Sequence, residues 1–193
     1  MKIGILALQG AVAEHMRSIE AAGGQAVAVK TVDQLFDLDG LIIPGGESTT
    51  IGKLMRKYGF IEAIQQFAAQ GKPLFGTCAG LIALAERIAG GEEAHLKLMD
   101  ITVARNAFGR QRESFETDLE VDGIEERVRA VFIRAPLITE VGLSVKVLST
   151  YNREIVTARQ GNLLACSYHP ELTDDFRLHA YFLQMAREAA VGI

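Results

Sequence analysis

Cys78 stands at the centre of Gly76-Thr77-Cys78-Ala79-Gly80, after the apolar run Pro73-Leu74-Phe75 and before the apolar stretch 81–88. A strand, a sharp turn and a helix in that order make the setting of a nucleophile elbow, here with cysteine as the nucleophile. The chemistry accounts for the pattern. Glycines two residues before and two after the nucleophile remove side chains that would clash in the turn. The sulfur then lies at a helix N-terminus, where the dipole favours a thiolate over the free thiol with its pKa of ~8.5. The N–H of Ala79, the next residue, is placed to hold a developing oxyanion.

A nucleophile of this kind needs a base, and the base needs a group to orient it. His169-Pro170-Glu171 supplies both at the end of the apolar run 163–168. A residue before proline is pushed toward extended backbone. In an extended chain, residues two apart share a face, so His169 and Glu171 are expected to point the same way. The carboxylate would then fix the imidazole tautomer. The same alternation sets Ala165, Ser167 and His169 on one face and Cys166 and Tyr168 on the other. Cys166, the competing nucleophile, therefore reads as core. His15 and His179 fall within helical patterns and His95 in a loop, and all three read as solvated or packed histidines.

Two further features carry polar chemistry. Ile43-Pro44-Gly45-Gly46-Glu47-Ser48 joins a strand to a helix, with paired glycines that let backbone N–H groups approach a ligand and with Ser48 as a helix cap. No Gly-Lys-Ser/Thr follows at nucleotide P-loop spacing. Arg105 and Arg134 each follow or end a strand, and arginine's planar fork suits a carboxylate.

These residues must be held by a scaffold, and the periodicity shows which. Strands are expected at 3–8, 26–29, 41–43 and 73–76. Between them fall helices: one carrying Val12, Met16 and Ile19 and ended by Gly23-Gly24, one region over 49–69 broken near Gly59, and one over 81–88. Strands alternating with helices imply a parallel sheet covered on both faces. The second half reads as strands at 101–104, 115–121, 128–133, 145–148, 155–158 and 163–168, an antiparallel extension of that core. A last helix follows, capped by Thr173, with Asp174 and Asp175 in its first turn and Phe176, Ala180 and Leu183 buried. The expectation is one α/β domain over residues 1–193.

Composition agrees. A chain of 193 residues with 49% hydrophobic and 23% charged residues has the profile of a single globular domain. A net charge of −4 without a basic block argues against phosphate-driven nucleic-acid binding. No apolar run is long enough to span a membrane. Residues 3–8 read as a buried strand rather than a signal peptide, because Gln9 and Gly10 interrupt the run and Lys2 is the only basic residue before it. Two cysteines make neither a disulfide framework nor a zinc site, which points to the reducing cytoplasm.

The cysteine elbow, the remote His-x-Glu and the Gly-Gly loop together resemble the class I (triad-type) glutamine amidotransferases. Arg105-Asn106-Ala107-Phe108-Gly109-Arg110-Gln111 also carries the resemblance, and Leu8-Gln9-Gly10, Gly46-Glu47-Ser48-Thr49-Thr50 and Phe132-Ile133-Arg134-Ala135-Pro136 narrow it. They point to the family of glutaminase subunits of pyridoxal 5′-phosphate synthases, over essentially the whole chain. The resemblance implies a flavodoxin-like, three-layer fold. It makes Cys78 the nucleophile, His169 the acid/base and Glu171 its orienter. Gly46, Glu47, Ser48, Arg105, Ile133 and Arg134 would bind L-glutamine, and Ala79 with Gly46 would form the oxyanion hole.

The same resemblance implies no metal and no cofactor. It implies a synthase partner built as an eight-stranded βα barrel, in an assembly of twelve copies of each subunit. The partner would receive ammonia and join it to ribose 5-phosphate and glyceraldehyde 3-phosphate. Since a glutaminase would occupy nearly all of the 193 residues and leave no length for a domain that accepts ammonia, such a partner is expected to be obligatory. Two rivals differ in class. A stand-alone cysteine hydrolase of this architecture commonly places histidine directly after the nucleophile, where this chain has Ala79. A non-catalytic regulatory subunit would not need Cys78, His169 and Glu171 together.

Overall fold

The computed structural model describes residues 1–108 and 114–192, so Gly109-Arg110-Gln111 lie outside the described residues. The first half alternates: β1 (Lys2–Leu6), α1 (Val12–Ala21), β2 (Gln25–Val29), β3 (Gly40–Ile43), α2 (Ser48–Lys57), α3 (Phe60–Ala69), β4 (Leu74–Thr77), α4 (Ala79–Leu84) and β5 (Ala85–Ile88). The second half is strand-rich: β6 (Met99–Ala104), β7 (Ser114–Leu119), β8 (Val128–Ile133), β9 (Leu137–Val141), β10 (Lys146–Tyr151), β11 (Glu154–Gln160) and β12 (Leu163–Cys166). It ends in α5 (Arg177–Ala190).

One sheet runs β2-β1-β3-β4-β12-β11-β9-β6-β5, with β10 paired to β11. From β2 to β12 every pairing is parallel. Beyond β12 the sheet turns antiparallel, except where β5 joins β6. The hairpin β7–β8 stands apart. This is the expected α/β architecture, a parallel core with an antiparallel extension.

Alternation along the central strands sorts the core into two layers. Leu6, Leu41, Ile43, Leu74 and Ala165 face α2, α3 and α4. Ile3, Ile5, Ile42, Phe75, Leu164 and Cys166 face α1, α5 and the β7–β8 hairpin. Cys166 thus lies in the second layer with Tyr168, on the face the alternation assigned to it. Gly59, at φ 75°, separates α2 from α3 where the helical pattern broke.

The structure departs from the sequence reading at five points. The helix expected over 81–88 stops at Leu84; Ala85 turns extended at ψ 142° and Ala85–Ile88 forms β5. Arg87 secures it across the pair, donating to Thr102 Oγ1 at 3.0 Å and to Asp100 Oδ1 at 2.8 Å. Strand β9, which the sequence pattern did not mark, bridges β6 and β11.

Ser48 is not the cap of α2. Glu47 holds that position, its carboxylate accepting from the Thr49 and Thr50 N–H groups at 3.0 and 2.7 Å. Thr173 does not cap α5 either: its hydroxyl donates to the Pro170 carbonyl at 2.9 Å, and α5 starts four residues later. Asp175 accepts from the Arg177 N–H at 3.1 Å instead. In α5 the buried residues are Leu178, His179, Phe182, Leu183, Met185 and Ala186, while Ala180 is exposed.

Gly80 makes a tight backbone crossing two residues after the nucleophile. A Cβ there would overlap the carbonyl oxygen of Ile43, whereas a Cβ at Gly4 would meet only the side-chain tips of Leu38, Val29 and Leu41. Side chains can repack and backbone cannot, so Gly80→Ala is expected to cost about 3 kcal/mol or more and Gly4→Ala about 1–2 kcal/mol. Urea unfolding of both variants checks the ranking; equal losses would contradict it.

Candidate active site

The end of β4 and the start of α4 place the thiol. Cys78 adopts φ 50°, ψ −104°, a conformation rare outside glycine, and its side chain is 8% exposed. Its N–H donates to the Cys166 carbonyl at 2.9 Å, pinning the turn to β12. Because β12 runs parallel beside β4, the chain leaving Cys166 emerges at the same sheet edge as Cys78. That is the carboxyl edge, where α/β sheets hold ligands.

His169 follows three residues later, anchored by its N–H donating to the Val131 carbonyl at 2.7 Å. Its Nδ1–H donates to Glu171 Oε1 at 2.6 Å. The two side chains meet by a route other than the expected one: residues Pro170–Leu172 form a 3₁₀ turn, not extended chain. Glu171 is fully buried. Gly45 completes the enclosure, since a Cβ there would come within 2.5 Å of His169 Cε1 and 3.3 Å of Cys78 Cβ.

Burial works against a charged His169, but hydrogen bonds with Cys78 and Glu171 and attraction to both outweigh it. They raise the imidazole pKa from 6.5 to about 10. Cys166 shows the contrast. It is fully buried, its thiol donates to the Tyr168 carbonyl at 3.4 Å, and burial pushes its pKa well up.

A cleft of about 390 Å³ opens over the thiol, lined by Gly46, Glu47, Ser48, Arg105, Ile133 and Arg134 together with Cys78 and His169. All the residues expected at the site therefore border one space, with Glu171 behind it. Arg105 donates to Thr49 Oγ1 at 3.3 Å and pairs with Glu92 at 2.9 Å, while its buried Nε has no partner. Arg134, at φ 44°, turns the chain just after β8. The Glu47 carboxylate is committed to the Thr50 hydroxyl and the N–H groups of Thr50 and Thr49, which lower its pKa to about 2.

The Gly45 carbonyl accepts from the Ala11 N–H at 3.2 Å. In a trans peptide that leaves the Gly46 N–H on the side away from α1. Ala79 opens α4, with its N–H beside the sulfur. Sequence patterns singled out neither Gln9 as a support nor His15. Gln9 Oε1 accepts from the Glu47 N–H at 2.9 Å. His15, fully buried, reaches Thr77, His179 and Glu171. Among the described residues, no group of three or more His, Cys, Asp or Glu is placed to hold a metal. No helix among them is long and apolar enough to cross a membrane.

The profile of the SNO glutamine amidotransferase family matches residues 5–188. The chain belongs to this family. A relative in Niallia circulans, "Pyridoxal 5′-phosphate synthase subunit PdxT", is 74% identical over 98% of this chain and 100% of its own length. A protein of the same name in Halalkalibacterium halodurans is 67% identical over 98% of this chain and 96% of its own. The crystal structure of a glutamine amidotransferase superposes at a TM-score of 0.92 with 49% identity, covering 96% of this chain and 98% of that one. The PurLQS structure from Thermotoga maritima shares the fold at a TM-score of 0.69 and 16% identity, over 99% and 97% of the two chains.

For a member of this amidotransferase family the electrostatics of His169 are open to direct measurement. Its imidazole is expected to titrate near pH 10, and both Cys78→Ala and Glu171→Gln should lower that value. Because the folded pKa lies above the unfolded one, its contribution to stability is complete below about pH 6.5 and is lost as pH rises through about 10. Imidazole NMR across pH 5–11 reads the shift; titration near 6.5 in the wild type would contradict it.

Proposed function

We propose that the chain, as one glutaminase domain over residues 1–193, hydrolyses L-glutamine to L-glutamate and ammonia. It delivers the ammonia to a synthase subunit that makes pyridoxal 5′-phosphate. The observation that carries the chemical part is His169, held between Cys78 and Glu171 at the floor of the cleft. The family match and the names of the relatives support the substrate and the partner.

The steps follow from the geometry. The Cys78 sulfur attacks the side-chain amide carbon of glutamine, and the carbonyl electrons move onto oxygen, toward the N–H groups of Ala79 and Gly46. The His169 imidazolium gives its proton to the departing nitrogen. The C–N bond breaks, ammonia leaves and a glutamyl thioester remains. Neutral His169 then takes a proton from water as its oxygen attacks the thioester. Collapse releases glutamate and restores the thiolate–imidazolium pair. Glu171 keeps Nδ1–H occupied, which leaves Nε2 for these transfers.

The unpartnered Nε of Arg105 is suited to the α-carboxylate of glutamine, with Arg134 beside it. Gly46, Glu47, Ser48 and Ile133 complete the wall. The partner is a βα barrel in an assembly of twelve copies of each subunit, and the complex works in the cytoplasm.

Ammonia release from glutamine, measured with and without the synthase subunit, tests the proposal. Cys78→Ala is expected to reduce turnover by more than about 10³-fold. Cys166→Ala should keep it within about threefold, since that thiol packs in the core. A glutamine-like electrophile should label Cys78. No ammonia from the mixed wild-type subunits, or labelling at Cys166, would overturn the reading.

A further inference from the structure

The triad's carboxylate has a second, unexplained face. Glu171 Oε1 is taken by His169, but Oε2 is buried and without a hydrogen bond. The imidazole of His15 stands behind it, with Nε2 at 3.6 Å. The same Nε2 lies 3.0 Å from Thr77 Oγ1, one residue before the nucleophile. On the other side of the ring, Nδ1 lies 2.9 Å from His179 Nε2 in α5. His15, Thr77, Glu171 and His179 are all fully buried.

We infer that His15 is a positioning residue for Glu171, holding the carboxylate from behind with its Nε2–H, while His179 fixes the tautomer that makes this possible. The name of the reaction it serves rests on the glutaminase reading above; the geometry does not.

Each of these histidines carries a single N–H at neutral pH. Burial, with His179 and His169 nearby, holds the His15 pKa well below 6.5, and burial lowers that of His179 to about 3. Two arrangements are then open. In one, His179 Nε2–H donates to His15 Nδ1, and His15 Nε2–H points at Thr77 Oγ1 and the Glu171 carboxylate. In the other, His15 Nδ1–H donates to His179 Nε2.

The second arrangement fails twice. It turns a nitrogen lone pair toward the carboxylate oxygen. It also places the His179 proton on Nδ1, which is buried without any acceptor. A buried donor left unsatisfied costs about 1–3 kcal/mol. The first arrangement leaves Nδ1 of His179 as a bare acceptor, uses its Nε2–H on His15 Nδ1 and directs the His15 Nε2–H toward Glu171. At 3.6 Å the His15–Glu171 contact is a charge–dipole contact, not a hydrogen bond. It still opposes rotation of the carboxylate away from His169, because the alternative is a buried negative oxygen with no positive neighbour.

The titratable groups facing His15 are His179 from α5 and Glu171 and His169 from the 3₁₀ turn, and Asp175 acts on His179 in turn. A pH readout on Cys78 and His169 therefore senses the arrangement. The substitutions His15→Asn and His15→Gln separate its two ends. Asparagine places a polar group where Nδ1 stood but does not reach Glu171. Glutamine carries an N–H donor near the position of Nε2.

The test follows alkylation of Cys78 by iodoacetamide against pH in the full chain, and glutaminase kinetics of the same variants with the synthase subunit. For His15→Asn, the alkaline limb of the alkylation profile is expected to move to lower pH, because a loosened carboxylate holds the His169 imidazolium less well. The same variant should lose kcat about tenfold, with KM for glutamine changed less than about twofold. His15→Gln should restore the profile and bring kcat to within about threefold. If His15→Asn does not fold, the pair His179→Leu and His179→Gln poses the same question. Leucine removes the donor that fixes the tautomer and should shift the limb, and glutamine should not.

A wild-type profile in His15→Asn, or His15→Gln as impaired as His15→Asn, would overturn the inference. Absence of glutaminase activity in the wild type with an intact shift on alkylation would overturn the glutaminase reading and leave the positioning role standing.

Discussion

Two backbone segments approach so closely at the end of β4 that only hydrogen fits between them: the Cα of Gly80 and the carbonyl of Ile43. The rest of the site depends on that approach. It lets α4 start immediately after β4, which forces Cys78 to φ 50°, a left-handed conformation costing about 1–3 kcal/mol. The cost is offset by the bond from the Cys78 N–H to Cys166 and by the buried packing of α4. What results is a thiol held at the mouth of the sheet, with the first N–H of a helix beside it. Loosening the crossing would let the turn relax, and the sulfur would leave His169.

The second requirement is charge stability in a nearly dry place. A protonated His169 beside Cys78 is sustained only if the buried carboxylate behind it stays fixed. Parallel pairing of β12 with β4 puts the His169-Pro170-Glu171 turn beside the elbow, and α1 and α5 close the space behind with two neutral histidines. The polar groups thus run in one line from α5 through α1 to Glu171, His169 and Cys78. His179, His15 and Cys78 come from three different elements and Glu171 with His169 from one turn, so the line exists only in the folded sheet.

Local chemistry was readable in the sequence wherever it depended on neighbours along the chain. The elbow is five consecutive residues, and the base and its orienter are three. The face argument that set Cys166 in the core needed only the period of a strand. Other features escaped because distance along the chain hides them. The Gln9 side chain supports Glu47 from 38 residues away, and His15 meets His179 across 164. Ala85–Ile88 is apolar at both ends, a pattern that suits a helix end or a short strand, and only pairing with β6 decides it. Ser48 and Thr173 are good caps by type, but Glu47 reaches two N–H groups where Ser48 reaches none, and Pro170 takes the Thr173 hydroxyl. His169 and Glu171 do meet, through a 3₁₀ turn, since proline starts such a turn as readily as it extends the residue before it.

The central claim is that the strained Cys78, served by His169, is the group that frees the amide nitrogen of glutamine. Glutamine labelled with ¹⁵N in the side-chain amide, given to the assembled synthase, tests it most directly. The label should appear in the pyridine nitrogen of pyridoxal 5′-phosphate. With Cys78→Ala it should vanish from the product, while added ammonium restores synthesis. Transfer of the label by the Cys78→Ala assembly would contradict the claim.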